Sequence, residues 1–221
     1  MNALFNNKKL CSKIRGVIIV GASIGEEIPY FSELKIPNQI YIEPIQELFS
    51  ILQQKASQQQ HNPKVQCFNL AISDYNGISD FHISTGSFCS SSLLPFAKEA
   101  IQYGLTLQEA EKRQVEVKKL DSIINEFVPD IYNFNLLYID TQGNEYKVIL
   151  GCSKNIQNFD IVFAEVNNIK LYDEVKLFNE FNELMKSHNF NLLNLRELEG
   201  SSKTQSEALY INGKNKWITQ Q

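Results

Sequence analysis

Carboxylates stand at the ends of this chain's apolar runs. Glu43 closes QIYIE (39–43), Asp140 closes NFNLLYID (133–140), and Glu165 comes one residue before the end of DIVFAEV (160–166). Glu26 and Glu27 follow a glycine turn in VIIVGASIGEE (17–27). Acids in such places can bind the paired hydroxyls of a ribose, take a proton, or face a cation. A pyrophosphate-binding turn reads G-x-G-x-x-G. Here the three glycine positions hold Gly21, Ser23 and Glu26, and the two glutamates would repel a dianion wherever water is excluded. A dinucleotide is therefore disfavoured, and a ligand with a positive centre suits the turn better. S-adenosylmethionine is such a ligand: its sulfonium is cationic and it carries no phosphate. Its methionine end can lie against the backbone where Gly21 and Gly25 permit close approach, with Glu43 on the ribose.

Methyl transfer is an in-line displacement that depends on alignment, and an alcohol acceptor needs a base or a metal to become a useful nucleophile. Asp140 is the first choice for the acid at the transfer centre, with Glu145 across a turn containing Gly143. His82 lies in a strand that could face the cleft and serve as general base; a plain strand histidine is the competing reading. Asp140, Glu165 and Asn167 could together supply oxygen ligands to Mg²⁺, which would polarise a hydroxyl. Purely structural roles compete for each. Asp140 could cap the next helix, Glu145 could complement that helix's dipole, and Glu165 could hold a backbone amide. Ser90, Ser91 and Ser92 could line an acceptor pocket or bond their own turn.

The elements that must hold these groups alternate. VIIV (17–20), QIYIE (39–43) and VQCFNLAIS (65–73) read as strands, and the last is followed by a DYNG turn and a return strand ISDFHIS, a hairpin. Pro44 opens an amphipathic helix, PIQELFSILQQKA. Residues 95–112 read as helical with Gly104 as a weak point, and QVEVKKL as an edge strand. Asp121 can cap a short helix SIINEF. Two core strands, 133–140 and 160–166, alternate with a helix ending at Gly151 and with EVKLFNEFNELMKSH, where Asn189 takes the left-handed cap. Pro29 requires that the helix after the glycine turn begin late, near Ile28, or bend. NLLNLRE and EALYING close the chain with no helix between them. This order predicts an α/β, doubly wound, mostly parallel sheet with an antiparallel C-terminal strand. Its ligand belongs beyond the carboxyl ends of the strands.

Bulk properties narrow the classes. A chain of 221 residues that is 43% hydrophobic supports a single domain over 1–221, with a hairpin and helical lid inserted at about 73–119. A net charge of −4 and no basic run argue against nucleic acid as a partner. No apolar run approaches the ~20 residues of a membrane span, and residues 1–16 lack a secretory apolar core. Four scattered cysteines without a C-x-x-C pair suit free thiols in the cytoplasm.

The assembled pieces resemble the FkbM family of S-adenosylmethionine-dependent methyltransferases over roughly residues 14–212. The motifs that carry the resemblance are VGASIG, IEP, NLAISDYNG, SSSLL, KLD and YIDTQGNE, in that order. The chain departs from the family pattern at Ser23, Lys119 and Asn189, and lacks an acid before Gly21. The resemblance implies a class I methyltransferase (Rossmann-like) fold. It places the cofactor on Gly21, Ala22, Ser23, Gly25, Glu43, Pro44, Ala71, Ile72, Asp74 and Asp140, with the 71–74 segment flanking adenine. It implies a small-molecule or glycan acceptor, a hydroxyl of a saccharide or secondary metabolite. N- or C-methylation and a ligand-holding module without turnover stand as alternatives, and a homodimer is a possible assembly.

Overall fold

The computed structural model describes residues 4, 7–59, 64–84, 88–103, 109–198 and 203–215. Among the described residues, ten strands form two sheets. The strands are β1 (Gly16–Val20), β2 (Asn38–Ile42), β3 (Lys64–Phe68), β4 (Ala71–Ile72), β5 (Gly77–Ser84), β6 (Glu109–Lys118), β7 (Leu136–Ile139), β8 (Ile161–Asn167), β9 (Phe190–Glu197) and β10 (Gln205–Asn212). The helices are α1 (Lys8–Cys11), α2 (Ile28–Glu33), α3 (Gln46–Ser57), α4 (Leu120–Phe127), α5 (Glu145–Gly151) and α6 (Phe178–Ser187). The larger sheet runs β3-β2-β1-β7-β8-β10-β9. Its first five strands pair in parallel, and β10 inserts antiparallel between β8 and β9. This is the Rossmann-like, mostly parallel fold with an antiparallel finish that the alternation predicts.

Strand periodicity sorts the core into two layers. Ile18, Val20, Ile40, Leu137, Ile139 and Val162 point to one face, where α4, α5 and α6 cover them with Ile123, Val148 and Phe181. Val17, Ile19, Tyr41, Leu136, Tyr138 and Phe163 point to the other, under α1, α2 and α3 with Leu10, Phe31 and Leu52. β1, β2, β7 and β8 are buried on both faces, which is why they read as continuous apolar runs. Strand order reverses between β1 and β7, so the turns leaving these two strands diverge and open a crevice.

Three local expectations are corrected. The 65–73 run is not one strand. It stays in the large sheet as β3 only to Phe68, and β4 belongs to a second sheet of order β4-β6-β5. Asn69 makes the pivot, its Nδ2 donating to the carbonyls of Glu43 (2.9 Å) and Pro44 (3.1 Å). The β4–β5 hairpin does not form either, because β6 lies between them, parallel to β4 and antiparallel to β5. The helix expected over 95–112 is a 3₁₀ turn at Lys98–Tyr103 followed by β6, whose first residues are already paired to β5. Residues 85–87 and 104–108 of the expected lid, Gly104 among them, lie outside the described residues.

One cap also differs. Lys119 rather than Asp121 precedes α4, and Asp121 reaches across to accept from Lys154 N (3.0 Å) and Asn155 N (3.1 Å). Gly151 is the last residue of α5, as expected. A Cβ there would come 2.0 Å from the Ser73 carbonyl oxygen, so close packing requires the glycine. Pro44 lies just before Ile45, the cap of α3, rather than opening the helix, and 114–118 belongs to the middle strand of the small sheet rather than to an edge. Two other expectations hold. α2 begins at Ile28 with Pro29 in its first turn, and Asn189 adopts φ 62° after α6.

Candidate functional site

The turn after β1 is wound by its backbone. Gly21 N and Ala22 N both donate to the Ile42 carbonyl (3.0 Å each), and Gly25 N donates to Ala22 O (2.8 Å). Gly21, Ser23 and Gly25 all have positive φ. Glu43, at the end of β2, ties this turn to the start of α3. Its Oε2 accepts from Ser23 N (2.9 Å) and its Oε1 from Ile45 N (2.8 Å). Each oxygen keeps lone-pair capacity for a further donor.

The turn after β7 is built around two side chains. Glu145 folds back so that its Oε1 accepts from Thr141 N (2.9 Å), Thr141 Oγ1 (3.0 Å) and Gly143 N (3.1 Å). Gln142, at φ 56°, extends its amide between the ends of β7 and β8, donating to Asp140 Oδ1 (2.7 Å) and Glu165 Oε1 (3.0 Å). Gln205 Nε2, on β10, also donates to Glu165 Oε1.

Between the two turns lies a cleft of about 410 Å³, within the range of small-molecule sites. Of the ten residues expected to hold a cofactor, eight line it: Gly21, Ala22, Ser23, Glu43, Pro44, Ala71, Ile72 and Asp140. Gly25 does not; its role is to close the turn against Ile28 and Leu52. Asp74 also lies outside the lining. Of the residues expected at the chemistry, Asp140 and Glu165 face the cleft, whereas Glu145, His82 and Asn167 do not. His82 is buried in the small sheet, its backbone paired with Ser92. Thr141, Gln142 and Asn144 belong to the segment 140–145 expected beyond a strand end, though without a role of their own; sequence reading missed Gln205 and the apolar wall made with Phe81 and Phe88. Gln142 had a visible signal, the Q of YIDTQGNE; Phe81 and Phe88 had none, because they arrive from β5 of the second sheet and from the 3₁₀ turn Phe88–Ser90 that follows it.

Five carboxylates line the cleft: Glu26, Glu27, Glu43, Asp140 and Glu165. Among the described lining residues there is no lysine, arginine or histidine. Burial pushes the Glu27 and Glu43 carboxyls up to about 7, with Asp140 and Glu26 adding repulsion. Burial likewise pushes Asp140 to about 6, against the Gln142 hydrogen bond that favours its ionised form. Glu165 is raised by burial and then by Asp140 and Glu145, and Glu145 is raised to about 7 by burial. An acid whose pKa is higher folded than unfolded holds its proton more tightly in the fold. Its ionisation therefore opposes folding as pH rises through that value. For the well-buried Glu43 and Glu145 the penalty at pH 8 is on the order of 3 kcal/mol each, relieved as pH falls toward 5. Thermal denaturation of the ligand-free protein should show a midpoint several degrees higher at pH 5.5 than at pH 8; a lower midpoint at pH 5.5 would contradict this reading of the cleft.

The residues do not fit the Mg²⁺ expected from sequence. The Gln142 amide occupies the space between Asp140 and Glu165 with its own N–H groups, and a divalent cation needs about six oxygens. Asn167 is buried outside the cleft lining. Among the described residues no group of three or more His, Cys, Asp or Glu side chains could hold a metal ion. No helix of the described residues is long and apolar enough to cross a membrane.

Residues 20–192 match the model of the methyltransferase FkbM domain, which is more than half of the chain. No curated protein matches. Among solved structures, a Streptococcus pneumoniae protein described as a putative tRNA (m1A22) methyltransferase superposes with a TM-score of 0.52 at 11% identity, over 94% of this chain and 70% of that one. TrmK of M. capricolum, in complex with S-adenosyl-homocysteine, gives 0.52 at 9% identity over 97% and 70%. The magnesium protoporphyrin IX methyltransferase of Synechocystis PCC 6803, with bound SAM, gives 0.51 at 8% identity over 95% and 75%. At these identities the likeness is one of fold.

Proposed function

The chain belongs to the FkbM methyltransferase domain family, and from that premise we propose that its cleft binds S-adenosylmethionine and directs the methyl group to a hydroxyl of a saccharide or secondary metabolite. The observation that carries this reading is the charge of the cleft: five carboxylates and no cation among its described lining residues, at the point where strand order reverses. Such a site favours a sulfonium and opposes phosphates. The same charge disfavours a polyanionic acceptor such as nucleic acid.

Bound there, adenosylmethionine supplies a methyl carbon whose bond to sulfur breaks, with its electron pair, as the acceptor oxygen attacks. Glu43 accepts the two ribose hydroxyls on the lone pairs left free by Ser23 N and Ile45 N. Pro44, Ile45, Leu48, Leu70, Ile72 and Phe81 give the adenine an apolar slot. Glu26 and Glu27 face the positive centre. Asp140 takes the proton that the acceptor hydroxyl releases. The 88–103 segment and the small sheet form the acceptor side, on which specificity depends.

Calorimetry with S-adenosylmethionine tests the proposal; micromolar binding is expected. At a hundredfold excess over Kd the ligand stabilises the fold by ~2.7 kcal/mol, roughly 5–10 °C in thermal midpoint, while NAD should leave it unmoved. Absence of heat and of any shift with adenosylmethionine would sink the reading.

A further inference from the structure

The IDTQG turn holds a residue that neither the cofactor reading nor the acid assignments use. Gln142 has φ 56°, a backbone region that costs a residue with a side chain free energy and persists only where surroundings fix it. Here they do. Ser92 Oγ donates to the Gln142 carbonyl (2.7 Å), and the Tyr172 hydroxyl donates to Gln142 Oε1 (3.0 Å). The same Tyr172 hydroxyl lies 3.1 Å from Ser90 O. Two carboxylates on the other side accept only from the NH₂ end, so the amide has a single orientation that satisfies all three of its partners, Asp140, Glu165 and Tyr172. Among the described residues, Gln142 supplies the one bond to Asp140's side chain, at Oδ1, and Glu165 is held only at Oε1. The second oxygen of each carboxylate, Asp140 Oδ2 and Glu165 Oε2, carries no described bond, and both residues line the cleft.

We propose that Gln142 is a positioning residue: its amide fixes the Asp140 and Glu165 carboxylates so that Asp140 Oδ2 faces the acceptor as proton acceptor and Glu165 Oε2 faces the same space, and Ser92 and Tyr172 tie this arrangement to the acceptor-side segment. The inference rests on the reading of Asp140 given above. Every carboxylate facing the pair opposes its ionisation: Glu26 and Glu27 from the turn after β1, Glu207 from β10, Glu145 from α5 and Glu43 from the end of β2, while the buried Tyr172 phenol, from the segment after β8, stays neutral. The Gln142 donors work against all of them, and hydrogen bonds to the charged form favour it.

The test needs neither cofactor nor acceptor. The carboxyl carbons of Asp140 and Glu165 are titrated by ¹³C NMR in the full chain, with Asp140→Asn and Glu165→Gln assigning the signals. Gln142→Met keeps the length of the side chain and removes its donors. Both carboxyls should then titrate higher by about one pH unit, and Tyr172→Phe should give a smaller shift in the same direction by releasing the amide. A folded Gln142→Met protein with both titrations unchanged overturns the inference. If Gln142→Met does not fold, Tyr172→Phe decides: an upward shift supports the inference and an unchanged Asp140 titration overturns it. Because no ligand is present, a failure here is separate from a failure to bind adenosylmethionine in the calorimeter.

Discussion

Glu43→Ala should weaken S-adenosylmethionine binding by about a hundredfold or more, measured by calorimetry on folded protein. The reason lies in how many groups meet at this carboxylate. It accepts Ser23 N on one oxygen and Ile45 N on the other, and so fixes the turn after β1 against the start of α3. Removing it strands two backbone donors, each at a cost of about 1–3 kcal/mol where water cannot reach. It also removes both partners proposed for the ribose hydroxyls, bonds to a charged group worth about 1.5–3 kcal/mol each. Glu43→Gln should fall most of the way to the alanine variant, because an amide places an NH₂ opposite one of those N–H groups, donor against donor. The pH dependence of the wild type gives an independent check. Burial raises Glu27, Glu43 and Asp140 to about 7, 7 and 6, and a cation favours their ionised forms. Affinity should therefore rise between pH 5.5 and pH 8, the interval over which the ligand-free fold loses stability. Wild-type-like affinity in Glu43→Ala would remove the residue from the site.

What the sequence disclosed here follows from what is local. β1, β2, β7 and β8 of the large sheet are buried on both faces, so each is a continuous apolar run, and for the last three the acid at or near the end is visible beside it. Glu43, Asp140 and Glu165 were found that way, and the cleft brings them together. The motif glycines marked the turn because only they tolerate its φ values without strain. Pairing across distance left no such trace. Nothing in VQCFNLAIS announces that the chain changes sheets at Asn69, since that side chain bonds carbonyls of the segment after β2. Nothing in residues 109–118 announces that they separate β4 from β5, and their charged residues alternate as readily on a helix as on an exposed strand. Glu145 misled for a related reason. Acids at a helix start are common, and only the fold shows its carboxylate turned inward onto Thr141 and Gly143 rather than toward the cleft.

Gly21→Ala should cost the fold roughly 3 kcal/mol or more, read from chemical denaturation, which places it among the largest single-residue effects a core allows. Two constraints coincide at this position. Its φ is 82°, which an alanine adopts only with strain, and a Cβ built on it would sit 1.7 Å from the carbonyl oxygen of Asp140. That oxygen is backbone at the end of β7, so it cannot swing aside as a side chain would. Asp140 N is itself bonded to Val20 O (2.9 Å), holding β7 to β1 at this point. Relief would require parting the two strands where they diverge, which would also displace the Asp140 carboxylate and open the cleft. Gly25→Ala is the internal comparison. Its φ is also positive, at 74°, but its Cβ would meet the methyl ends of Ile28 and Leu52 at 2.6 and 2.9 Å, and side-chain tips can shift. The cost there should be about 1–2 kcal/mol. The order of the two variants is the informative result. If Gly21→Ala were no less stable than Gly25→Ala, the contact between the two strand ends would not be what shapes the cleft.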